Sequence, residues 1–224
     1  MAYLVLSLPL PCFFLLPFHS SFLKQKKKGS AGAQALAEAL EHNRALQEVR
    51  LGANAIGVLG VKALGRCLRV NSTLTSLDLG HNDLHASGMS ELGAQLEQHA
   101  CRLVCLRTPN NHLDRLGVQT LTETLRLQGA ALRELDLSEN AIDEAAAPYL
   151  ASWLAANPRL HTLRMTGGGG DLSHAGGGEL RDAGLAQLFA ALAANTHLRL
   201  LDVSSHGMRD TAALAQVGWL VDLE

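Results

Sequence analysis

The feature that most constrains the fold is a repeated pattern of eleven residues, LxxLxLxxNxL, in which x is any residue. Four copies follow it closely and are separated by 28, 29 and 29 residues. Spacing of this regularity is typical of repeat proteins, in which each unit is stabilised by stacking on its neighbours. We therefore expect one solenoid of about six units. The copies start at Leu46, Leu74, Leu103 and Leu132, with weaker versions at Leu160 and Leu198.

Each unit is expected to contain one strand and one helix. Alternating apolar residues within the pattern indicate a short strand, and a later run with a spacing of four indicates one face of a helix. Stacked strands lie about 4.8 Å apart whereas packed helices need about 8 to 10 Å, so the stack must curve. The prediction is an α/β solenoid with a parallel sheet on the concave side and helices on the convex side. The predicted helical faces are Gly60, Leu64, Leu68; Gly88, Leu92, Leu96; Gly117, Leu121, Leu125; Ala146, Leu150, Leu154; Gly184, Leu188, Leu192; and, before the first strand, Gly32, Leu36, Leu40.

These repeats resemble the leucine-rich repeat superfamily, and the alternation of 28 and 29 residues with a full helix resembles its ribonuclease-inhibitor-like subfamily. The resemblance covers about residues 31 to 214. It implies a ladder of buried asparagines that bond to the backbone of neighbouring units after each strand. Gly168 and His206 replace asparagine in the last two copies, and Thr108 replaces a core leucine, which predicts a weak point. The ladder residues would be Asn54, Asn82, Asn111 and Asn140.

Residues 1–28 differ from the repeats. An apolar run from Ala2 to Phe18 precedes the lysines at 24 and 26–28, whereas a secretory signal has basic residues before its apolar run and a small-residue cleavage site after it. A membrane-spanning helix needs about 20 apolar residues, and three prolines interrupt this run. We expect a leader that is disordered or foreign to the fold, with a cleaved or anchoring signal as the alternative. The solenoid is assigned to residues 29–224.

A glycine-rich stretch between Thr166 and Gly184 accounts for the longer spacing of the last two copies. Leu160 and Leu198 are 38 residues apart, about ten more than in a regular unit, so we predict a surface-loop insertion at about 167–178. The stretch contains no lysine and therefore no phosphate-binding GxxxxGK motif. Asp171, His174 and Glu179 have metal-ligand chemistry, but a flexible loop presets no coordination geometry, so no metal is predicted.

Charged residues of alternating sign occupy one position of all six copies, four residues after each start. In a parallel sheet these side chains would point into the concavity on neighbouring strands, about 4.8 Å apart. Each charge is then expected to pair with its neighbours on both sides. We call these six residues the charge column: Arg50, Asp78, Arg107, Asp136, Arg164 and Asp202. Further polar residues expected on the same face, and with the column predicted to bind a partner, include Glu48, His81, Glu134 and His161.

Composition and motifs argue against several functional classes. Removing the four lysines of the leader from the count of 19 basic against 21 acidic residues leaves a net charge of −6, which disfavours nucleic acid. The ten histidines are scattered, and neither GxSxG nor HExxH occurs, so no catalytic residue is predicted. Four cysteines without CxxC spacing favour a reducing, cytoplasmic location over a disulfide framework.

The sequence therefore predicts a non-enzymatic protein-interaction module without cofactor, metal, small-molecule substrate or nucleic-acid partner. It would bind a protein through the concave face and the strand-to-helix loops, with membrane association only if residues 1–28 form an anchor. Two alternatives follow from family resemblance: a GTPase-activating protein of the Ran-activator type, and the ligand-sensing repeats of a NOD-like receptor. The identity of the partner, the oligomeric state and whether the chain belongs to a longer protein are left open.

Overall fold

The computed structural model describes residues 26–96, 102–127, 132–167 and 178–209, in which short strands alternate with helices. Residues 1–25 of the predicted leader, residues 168–177 of the predicted insertion, and residues 97–101, 128–131 and 210–224 lie outside these ranges. The helices are α1 (Lys26–His42), α2 (Gly57–Val70), α3 (His85–Leu96), α4 (Arg115–Leu127), α5 (Ala147–Ala156, after a 3-10 turn at Glu144–Ala146) and α6 (Arg181–Leu192). The strands are β1 (Glu48–Arg50), β2 (Ser76–Asp78), β3 (Cys105–Arg107), β4 (Glu134–Asp136), β5 (Thr162–Arg164) and β6 (Leu200–Asp202).

The described strands form one parallel sheet in chain order, β1 to β6. Every neighbouring pair is parallel and in the same register, so each position of the repeat faces its own equivalent in the next unit. Consecutive helices pack against one another in a second layer beside the sheet. The predicted α/β solenoid, with its sheet on the concave side and helices on the convex side, is confirmed.

The core lies between the sheet and the helices as one continuous apolar layer. The central strand residues, such as Val49, Leu77 and Leu106, are fully buried because they point towards the helices. The small residue and two leucines predicted for each of the helices α2 to α6 are buried against them. Core formation thus follows from the two sequence periods, which direct both sets of apolar side chains into the same layer.

Helix α1 differs from the helical face that was predicted for it. It begins at Lys26, inside the segment assigned to the leader, and its buried face is formed by Ala33, Ala37 and Leu40. Gly32 and Leu36, which were predicted to face the core with Leu40, are only half-buried. The face is rotated by one residue because α1 packs mainly on α2, with no described strand of its own preceding it.

Asparagines behind the strands link successive units through their side-chain amides. Asn82 is fully buried; its Oδ1 accepts from the backbone N–H of Asn54 at 2.9 Å, and its Nδ2 donates to the carbonyl of Leu51 at 2.9 Å. Asn111 and Asn140 repeat both bonds one and two units later. Each side chain therefore satisfies backbone groups that would be buried without a partner.

A second set of asparagines, which was not predicted, links the units where the helices end. Asn71 accepts from the N–H of Leu74 at 2.8 Å and donates to the carbonyl of Leu40, near the end of the preceding helix, at 2.7 Å. Asn195 makes the same pair of bonds to Leu198 and Leu154. Free carbonyls at helix carboxyl ends need such donors. The sheet is thus bordered by side-chain amides at both ends of its strands.

The two substituted positions within the described units are also satisfied. Thr108 is fully buried, and its hydroxyl lies 3.3 Å from the carbonyl of Asp136, so its polar atom has a partner. The hydroxyl of Thr108, which was predicted to be a weak point, is therefore hydrogen-bonded. His206 occupies the asparagine position of the last described unit and bonds to Leu180 and Met165.

Candidate functional site on the concave face

The charge column lies at the carboxyl end of the six strands, where each of its residues is the last of its strand. The register pairs Arg50 with Asp78, Asp78 with Arg107 and so on to Asp202. Arg50 is exposed and the other five are half-buried. The alternation of sign seen in the sequence is therefore an alternation in space along the sheet.

The ion pairs differ from the predicted ones. In the part of the chain that the structure describes, no arginine of the column lies within 4.0 Å of a carboxylate of the column. Arg107 and Arg164 instead both reach Oε1 of Glu134, at 2.9 and 2.8 Å. Arg50 pairs with Glu48 on its own strand at 2.6 Å. The predicted ladder of arginine and aspartate pairs is therefore wrong, and Glu134 is the acceptor shared by two arginines.

The aspartates of the column are held by local backbone bonds. Asp78, Asp136 and Asp202 each accept the N–H of the residue two positions later, at 3.0, 2.9 and 3.1 Å. This geometry is the aspartate turn that reverses the chain at the end of a strand. One oxygen of each aspartate is therefore engaged by its own turn. Arg107 and Arg164 bond to Glu134 instead.

The bonds at Glu134 govern its protonation. Partial burial acts to raise the pKa of this carboxyl, but Arg107 and Arg164 donate to it and favour its charged form, so the pKa is lowered overall. The pKa of Arg107 is raised in turn; partial burial opposes the shift, and the bond to Glu134 outweighs it. The centre of the face is therefore a charged cluster with its bonds satisfied internally.

A basic row lies at the opposite, amino-terminal end of the strands. We define it as Arg133, His161 and Arg199, each one residue before β4, β5 and β6. The backbone N–H of His161 donates to the carbonyl of Arg133 at 2.8 Å, and that of Arg199 donates to the carbonyl of His161 at 2.8 Å. His161 was among the binding residues predicted from the sequence, but its grouping with two arginines was not, although all three occupy the same repeat position.

His81, the remaining predicted binding residue, lies away from the strands. It is exposed in the loop after β2 and has a left-handed backbone with φ of 57°. Nearby, the rings of His85 and His112 stack with centroids 5.1 Å apart, and Nε2 of His112 lies 3.4 Å from Asp83. No group of three or more potential metal ligands occurs within the described ranges.

The other sequence candidates are placed as follows. Oε2 of Glu179 lies 3.8 Å from Nε of Arg181, while Asp171 and His174 are outside the described residues. Cys67 and Cys105 are free and buried, and burial raises the pKa of the Cys67 thiol to about 11. A thiol with a raised pKa is a poor nucleophile at neutral pH. None of the helices within the described ranges has the length and apolar character needed to cross a membrane.

Comparison with known proteins finds matching repeats in three segments of the chain. A family model described as "Leucine Rich repeat" matches residues 42–65, 70–93 and 194–215. The Tonsoku-like protein of Mus musculus is 37% identical over 123 residues, which make up 51% of this chain and 8% of that protein. The chain therefore spans only a small part of this curated relative.

Two solved structures have similar coordinates at low sequence identity. The leiomodin-1 Actin-Binding Site 2 has a TM-score of 0.47 and 14% identity, covering 81% of this chain and 83% of that one. The tropomodulin C-terminal domain of Caenorhabditis elegans has a TM-score of 0.48 and 12% identity, covering 83% and 89%. The family-model matches, together with the stacked strand and helix units described above, identify the chain as a leucine-rich repeat protein.

Proposed function

We propose that this chain is a non-enzymatic protein-interaction module that binds a protein partner through the concave face and the adjoining strand-to-helix loops. The observation that carries the proposal is the common register of the strands. It sets charged and polar side chains side by side on a surface about 24 Å long, since six strands span five spacings of about 4.8 Å. A surface of this length accommodates part of a standard protein interface.

The rigidity of the face supports the same proposal. Backbone bonds join every pair of neighbouring strands, and buried asparagines join the units at both strand ends. A surface whose geometry is set before binding loses less conformational entropy when a partner docks. The charges at Glu134 are likewise positioned in advance by bonds to two arginines.

The finer assignments made from sequence are part of this proposal. Membership of the ribonuclease-inhibitor-like subfamily is supported by the unit length and the full helices. A reducing, cytoplasmic location is supported by the free thiols of Cys67 and Cys105. Ran-type GTPase activation and NOD-like ligand sensing rest on family resemblance alone, and no described side chain favours either of them over simple binding.

Site-specific photo-crosslinking tests which face binds. A benzophenone amino acid replaces Thr162, half-buried on the concave face, and in a matched variant it replaces Arg66, exposed on α2 on the convex side. After irradiation in cell extract, we expect discrete protein adducts from the Thr162 variant and few from the Arg66 variant. Adducts of equal yield from both positions, or from Arg66 alone, would reject the concave face as the binding surface.

A further inference from the structure

The basic row differs from the rest of the concave face because the side chains of its two arginines have no bonding partner among the described residues. Arg133 and Arg199 are exposed, and neither guanidinium forms a hydrogen bond or ion pair with another described residue. The neighbouring charges, by contrast, are bonded: Arg107 and Arg164 to Glu134, and Asp136 to its turn. The face therefore divides into a satisfied centre and an unsatisfied basic edge.

The two arginines of the row act on the histidine between them. The pKa of His161 is lowered, first by desolvation and then by the positive charges of Arg199, Arg133 and His197. Those three groups are the charged neighbours that act on the imidazole from the flanking strands and turn. A position where a further positive charge is disfavoured is one where a negative group is stabilised.

We propose that the basic row binds an acidic peptide segment of the partner, through aspartate or glutamate side chains that pair with Arg133 and Arg199. This inference rests on the proposed function, since it names the chemistry that the concave face recognises. Neighbouring strands are about 4.8 Å apart, so the two arginines, two strands apart, are separated by about 10 Å at their backbones. Carboxylates on one side of an extended peptide repeat about every 6.8 Å, a distance that flexible arginine side chains can match.

The same geometry disfavours a nucleic acid as the occupant. A duplex presents one negative charge per about 1.7 Å and is bound by long basic surfaces. Here Glu134 follows Arg133 directly, and Asp136 and Asp202 lie farther along the same strands. A short peptide can contact the edge alone, whereas a continuous phosphate backbone would also approach these carboxylates.

Fluorescence anisotropy with a fluorescein-labelled hexaglutamate peptide tests the proposal on the full chain. We expect saturable binding that weakens with added salt, and about tenfold weaker binding by the double variant Arg133→Gln, Arg199→Gln, because two ion pairs of modest energy are lost. The matched control is Arg66→Gln, Arg115→Gln, which removes the same total charge from exposed positions on α2 and α4. Circular dichroism checks that both variants keep the fold.

Equal binding by both double variants, or no binding by the wild type, would overturn the proposal. Competition by a single-stranded oligonucleotide at the same concentration as unlabelled hexaglutamate would overturn it in favour of a phosphate polymer. Retained cross-links at Thr162 in either case would leave the proposed function standing and reject only the acidic partner. Absence of cross-links from Thr162 in the chain that keeps both arginines would reject the proposed function itself.

Discussion

At the scale of single residues, His206 shows how a different side chain can fill the asparagine position. Its Nδ1 accepts the N–H of Leu180 at 3.2 Å, and its Nε2 lies 2.5 Å from the carbonyl of Met165. Asn140 makes the equivalent bonds to Leu113 and Thr108. A nitrogen that accepts from a backbone N–H carries no proton, so these contacts assign a neutral ring protonated at Nε2.

This arrangement predicts a pH-dependent stability. Burial lowers the pKa of His206 although Met165, Glu179 and Asp202 favour the charged form. The unfolded chain therefore takes up a proton before the folded chain does, and stability falls as the pH drops below about 6.5 towards the folded pKa. Thermal unfolding of wild type and His206→Asn at pH 7.5 and 5.5 measures this contribution. The variant should lose less stability between the two pH values; equal losses would contradict the assigned bonds.

Asn82 should be among the most sensitive polar residues of the fold. Asn82→Ala leaves the N–H of Asn54 and the carbonyls near Leu51 and Leu79 without their side-chain partner in a buried site. We expect a loss of about 2 to 4 kcal/mol in the free energy of unfolding, measured by urea denaturation. Gln119→Ala is the control, because its described side-chain bond is to exposed Glu123 on the same helix at 2.9 Å and its loss should change stability by less than about 0.5 kcal/mol.

At the scale of elements, the distance between helices depends on small residues. A Cβ added at Gly60 of α2 would meet the side chain of Ile56 at the start of the same helix, and it would lie 3.0 Å from Cβ of Ala33 and 3.4 Å from Cα of Ser30, both on α1. A Cβ added at Gly32, on a half-buried part of α1, would meet no atom within 4 Å. Gly60 therefore sets how closely the first two helices approach.

The same substitution at these two glycines separates packing from helix propensity. Gly32→Ala should raise the free energy of unfolding by about 0.5 to 1 kcal/mol, because alanine favours the helix. Gly60→Ala gains the same propensity but crowds α1, and overpacking costs about 1 to 3 kcal/mol, so it should be the less stable variant. Urea denaturation of both measures the difference. A Gly60→Ala protein as stable as Gly32→Ala would show that the helices move apart without cost.

The repeat pattern predicted the elements well because it governs which side chains face the core. The leucine spacing placed the six strands, and five of the six helical faces, in the observed register. The pattern was less informative about side-chain hydrogen bonds, because one side chain can have several possible partners. Asp136 bonds to the amide of Ser138, a local contact that competes with the longer reach to an arginine, so the pairing needed coordinates.

The sequence does contain a signal for the asparagines at the helix ends, which were not predicted. Asn71 follows Asn43 by 28 residues, and Asn195 follows Asn157 by 38, which are the spacings of the strands beside them. A recurring polar residue at a repeat position indicates a shared backbone bond as clearly as a recurring leucine indicates the core. The rotated face of α1 had no such signal, since small alanines occur on several sides of that helix.

At the scale of the whole molecule, protection of the backbone differs between interior strands and the edge. The N–H of Leu137 donates to Arg164 and that of Met165 to Asp202, both at 2.8 Å. Val203 holds the equivalent position after β6, but no described strand follows to accept its N–H. Leu200, at the start of the same edge strand, is 41% exposed.

Hydrogen exchange should therefore be faster at Val203 than at Leu137 and Met165. An amide without an acceptor exchanges by local fluctuation, whereas an interior amide needs neighbouring units to separate. Exchange followed by nuclear magnetic resonance resolves the three amides. Slow exchange at Val203 would mean that residues outside the described ranges, or a second copy of the chain, cover this edge.

The in-register stacking also bears on how quickly such a chain can fold. The bond from Asn54 to Asn82 spans 28 residues and that from Asn82 to Asn111 spans 29, and no bond of the sheet needs the two ends of the chain to meet. The entropy lost in closing each contact is therefore nearly the same for every unit. Folding rate depends on this sequence separation. Adding further units should therefore lengthen the structure without slowing the formation of any single contact.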